Sequence, residues 1–190
     1  MNIGCVIMAS GLGKRFGGNK LMHPFRDEPM IRQILNATAS IPHRVVVTRH
    51  REVAAYCITL GVPALVHDLP LRSDTVRLGL SHLLDLYPDL DGCLFAAADQ
   101  PCLKKASIDA LQDAFQAEPD FIYRLAFGET AGNPVLFPKS SFSGLLHLPE
   151  GKGGGIIIQS HPELVRKVQA GSLQELTDAD TPEILAELEK

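Results

Sequence analysis

Asn2-Ile3-Gly4-Cys5-Val6-Ile7-Met8-Ala9-Ser10-Gly11-Leu12-Gly13-Lys14-Arg15-Phe16-Gly17-Gly18-Asn19-Lys20 decides the fold. Residues 2–8 read as a buried strand, and the strand runs straight into a loop with four glycines and three cations. Glycines let backbone N–H groups turn inward and approach an anion closely. Lys14, Arg15 and Lys20 add positive charge where phosphates would lie. Two well-known phosphate templates fail on this stretch. Gly13 and Gly18 have the Gly-x4-Gly spacing of a P-loop, but Asn19-Lys20 stands where Lys-Ser/Thr is required. Gly11 and Gly13 begin a dinucleotide fingerprint, but Phe16 occupies its third glycine position, and the second strand ends at Val47-Thr48-Arg49 without the acid that holds a ribose. Adjacent cations suit a triphosphate better than a pyrophosphate bridge.

Outward from that loop the chain alternates strands and helices. Strands are expected at 44–48, 64–66, 93–97, 120–125, 134–138 and 165–168. Helices are expected at 29–40, 52–60, from Ser73 or Asp74 to 86, and at 107–116, 139–146, 155–160 and 182–189. Pro134 and Pro138 bracket their strand, which predicts a short or edge position. Continuously apolar strands separated by helices imply a mostly parallel sheet covered on both faces, an α/β protein of three α/β/α layers. The 190 residues make one domain spanning 1–190, with no internal repeat or linker. In such sheets ligands bind beyond the carboxyl ends of the strands. The opening loop lies there, and so does Asp99 after the strand at 93–97.

A net charge of −4 is a poor match to a nucleic-acid binder, whose footprint is a basic face. No apolar run reaches membrane-spanning length, and no signal-peptide pattern opens the chain. Cys5, Cys57, Cys93 and Cys102 form neither a C-x-x-C pair nor a zinc-spaced cluster. Cys5 and Cys93 read as core residues, whereas Cys102, just after Asp99-Gln100-Pro101, lies close to the expected site. These features predict a cytoplasmic protein with reduced thiols.

Five stretches in order resemble the nucleotidyltransferases, and within them the molybdenum cofactor cytidylyltransferase branch. They are Ala9-Ser10-Gly11 with Arg15, Gly17 and Lys20; Ser73-Asp74-Thr75-Val76-Arg77-Leu78-Gly79-Leu80; Ala97-Ala98-Asp99-Gln100-Pro101; Gly132-Asn133-Pro134-Val135-Leu136-Phe137-Pro138; and Asp178-Ala179-Asp180-Thr181-Pro182-Glu183. Each is weak alone, and their order is specific to the superfamily. The resemblance implies a Rossmann-like nucleotidyltransferase fold and transfer of a nucleotide from a triphosphate, CTP in that branch, to a molybdopterin-type phosphate acceptor. It also implies a molybdoenzyme or its maturation factor as protein partner.

Such chemistry asks little covalent work of the protein. The acceptor phosphate is already ionised, so charge neutralisation and positioning suffice. On the matched positions, Ala9, Ser10, Gly11, Leu12, Gly13, Lys14, Ser73 and Thr75 are candidates for nucleotide binding. Arg15, Lys20 and Asp99 are the catalytic candidates, with Lys20 reaching the α-phosphate. Asp99 and Asp180 are candidate Mg2+ ligands, since a hard cation takes carboxylate and phosphate oxygen. Asn133 is the candidate acceptor contact. Helix capping is the competing reading of Asp99 before Pro101 and of Asp180 before Thr181-Pro182. His23 and His67 read as ordinary surface or core histidines.

Lys152, Ile156 and Asp27, which replaces a usual glycine before Pro29, depart from the pattern, and Ser10 bears on the choice of base. Gly151-Lys152-Gly153-Gly154-Gly155-Ile156 stands where the family has Gly-Asp-x-Gly-Ala-Arg, so an acid becomes Lys152 and an arginine becomes Ile156. Ser10 stands where the guanylyl branch has glycine, which narrows the purine space and favours CTP. GTP as donor, a sugar phosphate as acceptor, or a nucleotide-binding accessory protein without turnover are the competing functions.

Overall fold

β1 (Ile3–Ala9) lies inside the sheet, and both of its faces are apolar. Ile3, Cys5, Ile7 and Ala9 enter one core cluster and Val6 the other, as the period-two geometry of a strand dictates. The structure is a computed structural model that describes residues 1–13 and 15–190; Lys14, a nucleotide-binding candidate, lies outside the described residues.

β1 pairs in parallel with β4 (His43–Thr48) and β6 (Gly92–Ala97), and β4 in parallel with β5 (Ala64–Val66). β8 (Thr130–Pro138) runs antiparallel between β6 and β7 (Ile122–Phe127), and β9 (Val165–Gln169) pairs in parallel with β7. The seven-stranded order is therefore β5-β4-β1-β6-β8-β7-β9. Helices α1 (Ile31–Ala37), α2 (Arg51–Thr59), α4 (Lys105–Ala117) and α7 (Pro182–Leu188) bury their apolar stripes in the first cluster. Helices α3 (Arg72–Leu86), α5 (Phe142–Leu146) and α6 (Gly155–Ser160) pack on the second. The three-layer, mostly parallel expectation holds.

The expectation for β8 does not. It is nine residues long and lies inside the sheet. Pro138 faces Gly92, the first residue of β6, where that ladder ends. Pro134 falls where the β7 register shifts between Arg124 and Ala126. Both prolines thus sit where the ladder ends or is interrupted, positions that tolerate a missing donor. The helix expected at 29–40 is shorter, because Pro29 pairs with Pro24 in a two-stranded ribbon of β2 (Pro24–Phe25) and β3 (Glu28–Pro29). Its turn places Arg26 at φ 51° and Asp27 at φ 65°, a left-handed conformation that aspartate tolerates better than most residues.

Because β8 runs against its neighbours, its amino end reaches the same edge as the carboxyl ends of β1, β4 and β6. Asn133 therefore shares a cleft with the opening loop and Asp99.

Candidate functional site

The loop after β1 folds on Gly13. The Gly13 carbonyl accepts from the amides of Phe16 (2.9 Å) and Gly17 (3.1 Å). Gly13 has φ 59°, and a Cβ there would meet the Gly18 carbonyl oxygen at 2.1 Å, so only glycine fits. Among the described residues the amides of Gly11, Leu12 and Gly13 have no backbone or side-chain acceptor, as an anion-binding loop requires.

Ser10 is tied down at the floor. Its hydroxyl donates to the Val47 carbonyl (3.0 Å) and lies 2.8 Å from His67 Nε2, which therefore donates. Burial, followed by the Arg49 charge, holds the His67 pKa below its usual value, so the neutral ring fits this role. His67 is thus a structural partner of Ser10.

The loop then turns back through the 3-10 segment Lys20–Met22, which buries Lys20. Lys20 Nζ donates to Asp99 Oδ2 at 2.7 Å and to Asp180 Oδ1 at 2.9 Å. Asp180 Oδ2 also receives Arg15 Nη2 at 2.6 Å. Burial pulls the Lys20 pKa down, but the charges and hydrogen bonds of Asp99 and Asp180 more than offset this, and it stands above its usual value. Asp180 is pushed up by desolvation and pulled further down by Lys20 and Arg15, so its carboxyl lies below the ordinary range. Asp178 beside them moves the other way: desolvation, then the charges of Asp99 and Asp180, raise its pKa.

Neither capping alternative describes these acids. Helix α4 begins at Lys105, beyond Asp99, with Lys104 as its N-cap. Thr181 caps α7, its Oγ1 accepting the Ile184 amide at 3.3 Å, which leaves Asp180 to the cations. A hydrogen bond from the Ala179 amide to the Asp99 carbonyl (2.8 Å) holds the two acidic segments together. Among the described residues no three His, Cys, Asp or Glu side chains converge as a complete metal-ligand set. Two carboxylates meeting on one Nζ do fit a cation bound through one or two carboxylates plus substrate phosphates.

A cleft of about 520 Å3 opens above this cluster, lined by residues 10–13, Thr75, Asp99, Asn133 and Asp178 among others. Arg49 and Arg72 also line it; the sequence reading missed them as site residues. Arg49 sits at the carboxyl end of a parallel strand, which was the available signal. Of the remaining candidates, Ala9 is buried at the end of β1. Ser73 is fully buried and does not line the cleft; its Oγ accepts the Gly151 amide at 3.2 Å. Ser73 thereby ties the 151–156 loop to the first turn of α3. Cys102 lies outside the cleft, its Sγ 3.6 Å from the Leu188 carbonyl, and burial raises its pKa.

A second cavity of about 400 Å3 adjoins the first through Met8, Arg72 and Asn133. Its walls include Arg124, Phe137, Lys152 and the glycines 153–155. Arg124 was missed too, although a lone cation in an otherwise apolar strand is a legible signal.

The sequence profile of the MobA-like NTP transferase domain matches residues 5–165. No curated protein matches the chain. The fold is similar to that of Rv0371c from Mycobacterium tuberculosis H37Rv, at 22% identity and TM-score 0.82, covering 98% of this chain and 97% of that one. The mycobacterial protein has also been solved as a complex with manganese. A nucleotidyl transferase from Methanothermobacter thermautotroptrophicus, Mth528, superposes with TM-score 0.80 at 22% identity, covering 98% and 95%. CMP:2-keto-3-deoxy-manno-octonic acid synthetase complexed with CTP superposes with TM-score 0.75 at 13% identity, covering 100% and 97%. Among the described residues no helix is long and apolar enough to cross a membrane. With the domain profile spanning most of its length, the chain belongs to the family of MobA-like NTP transferase domains, which are nucleotidyltransferases.

Proposed function

We propose that the protein transfers CMP from CTP to a molybdopterin-type phosphate acceptor, with Mg2+ and release of pyrophosphate. The observation that carries the reading is Lys20 Nζ held between Asp180 and Asp99, the latter lining a cleft bordered by a glycine loop. The acceptor phosphate oxygen attacks the α-phosphorus, the bond to the bridging oxygen breaks, and pyrophosphate leaves. No side chain has to take a proton. The amides of residues 11–13, with Lys14, Arg15 and Arg49, would receive the β- and γ-phosphates. Lys20, kept as an ammonium by its two acids, stabilises charge developing on the α-phosphate. Asp99 and Asp180 would hold Mg2+, which when bound neutralises phosphate charge that these acids would otherwise repel. Asn133, which lines both cavities, would orient the acceptor toward the α-phosphate.

Ser10 supports CTP over GTP because its tethered side chain takes space at the floor of the cleft. A fold relative complexed with CTP is consistent with this choice. Cysteines at four positions, none in a disulfide, suit the reducing cytoplasm.

The test is a thermal-shift panel of the four triphosphates with Mg2+, followed by a pyrophosphate-release assay with acceptor. A ligand that binds only the native state raises stability by about 2.7 kcal/mol at a hundredfold excess over Kd. CTP should give the largest shift. A larger GTP shift overturns the base assignment; release with a sugar phosphate instead of the pterin overturns the acceptor assignment. CTP binding without release under any acceptor indicates an accessory protein.

A further inference from the structure

The second cavity carries a charge pattern unlike that of the first. Arg72, Arg124 and Lys152 line it, and no Asp or Glu does. None of the three makes an ion pair among the described residues. The Arg124 guanidinium has one hydrogen bond, Nη2 to the Ala131 carbonyl at 3.2 Å, and its buried Nε has no partner among the described residues. Arg124 is half-buried, and a cation partly removed from water without a carboxylate is costly unless something else completes it. Desolvation alone lowers the Arg124 pKa, with no neighbouring acid to offset it.

The backbone is shaped to bring these cations together. A Cβ on Gly153 would lie 3.1 Å from Arg72 Nε, so glycine lets the 151–156 loop rest on that guanidinium. The Ser73–Gly151 hydrogen bond anchors the same loop. Lys152 stands where the family pattern has an acid, which adds a cation to this wall. The remaining lining is largely apolar, including Phe95, Val135, Phe137 and Ile156.

We propose that Arg72, Arg124 and Lys152 form an anion subsite, adjoining the triphosphate cleft through Arg72, that takes a phosphate or carboxylate group on an acceptor with an apolar body. That group is distinct from the phosphate that attacks the nucleotide. The acceptor therefore carries at least two anionic groups, one at the Asn133 junction and one deep in this cavity. An uncharged sugar ring would leave the three cations unanswered. The inference rests on the reading of the second cavity as the acceptor half of a nucleotidyltransferase.

The test uses the full chain saturated with CTP and Mg2+, titrated calorimetrically with phenyl phosphate, phenylacetate and benzyl alcohol. One or both anions should bind at least tenfold tighter than the alcohol, and the tighter arm tells phosphate from carboxylate. Arg124→Gln should weaken that binding at least tenfold, with Arg124→Lys restoring part of it, while the CTP midpoint moves less than twofold. Lys152→Gln, on an exposed loop, should weaken it severalfold and serves if Arg124→Gln fails to fold. Equal binding of the alcohol, indifference to both substitutions, or competition of the anions with CTP overturns the subsite. Loss of CTP binding in the unmutated protein would instead sink the nucleotidyltransferase reading itself.

Discussion

The two cavities that meet at Asn133 answer charge in opposite ways. Beside the first, Lys20 and Arg15 meet Asp99, Asp180 and the neighbouring Asp178, so acids outnumber cations within this cluster, while Arg49 and Arg72 line the cleft next to it. In the second, cations gather with no acid among the lining residues. The first cluster is therefore preassembled by ion pairs before ligand arrives, and its surplus carboxylate favours a positive ion. The second is an incomplete set that an anion would finish. A nucleotidyltransferase needs this asymmetry. Its donor is a polyanion whose charge must be bridged by a cation, while its acceptor must be attracted to a place where that cation does not reach.

The largest break in the comparison comes from Asp99→Asn. The carboxamide keeps the shape but loses the charge that grips Lys20 and would grip the cation. Pyrophosphate release should fall by about 10²–10³-fold, as when a single preorganised electrostatic group is removed from an active site. Circular dichroism should show an unchanged fold, because Asp180 still holds Lys20 at 2.9 Å. An unchanged rate removes Asp99 from the mechanism.

Gly154→Ala acts on the other side. A Cβ there would lie 2.7 Å from Phe137 Cζ, so the Phe137 ring, buried in the second core cluster, must shift to admit it. The expected cost is about 1–3 kcal/mol from overpacking, read as a drop of several degrees in Tm. Phe137 also lines the second cavity, so the acceptor KM should rise while nucleotide binding holds. If nucleotide binding weakens as much, the two cavities do not act as separate subsites.

The donor half was legible in the sequence because it is local. Its loop is one contiguous stretch, and Asp99 follows a strand whose carboxyl end is readable from apolar pattern alone. The alternation of apolar strands and helices also carried the three-layer architecture. The acceptor half was not legible, because Arg72, Arg124 and Lys152 come from a helix start, a mid-strand position and a glycine loop. Arg72 and Lys152 alone read as surface cations, Arg124 only as a lone cation in an apolar strand, and no local pattern shows that they share one wall. The antiparallel insertion of β8 was hidden by Pro134 and Pro138, whose positions at a register shift and a ladder end depend on partner strands. The competition between capping and ligation at Asp180 also needed geometry, since Thr181 next to it satisfies the same helix end.

The smallest and sharpest probe of the comparison is Asp178→Asn. If the donor cluster holds surplus negative charge, this residue is where the surplus shows, because its pKa is raised by desolvation and then by Asp99 and Asp180. A raised folded-state pKa means that ionising Asp178 costs stability. The cost is absent below the unfolded pKa and sets in as pH rises through the folded value. The metal-free Asn variant should therefore be slightly more stable than the unmutated protein at pH 7. A gain within about 0.5 kcal/mol is expected of an exposed position, or roughly 1–2 °C in Tm. The gap should close as pH is lowered through the raised folded pKa of Asp178, below which the native carboxyl is neutral as well. Divalent cation should reverse the order, because a bound cation turns the repulsion among these acids into attraction and stabilises the unmutated protein more. A metal-free Asn variant that is less stable at pH 7 would mean that Asp178 is held by a favourable contact, and the donor cluster would then have no surplus charge to contrast with its neighbour.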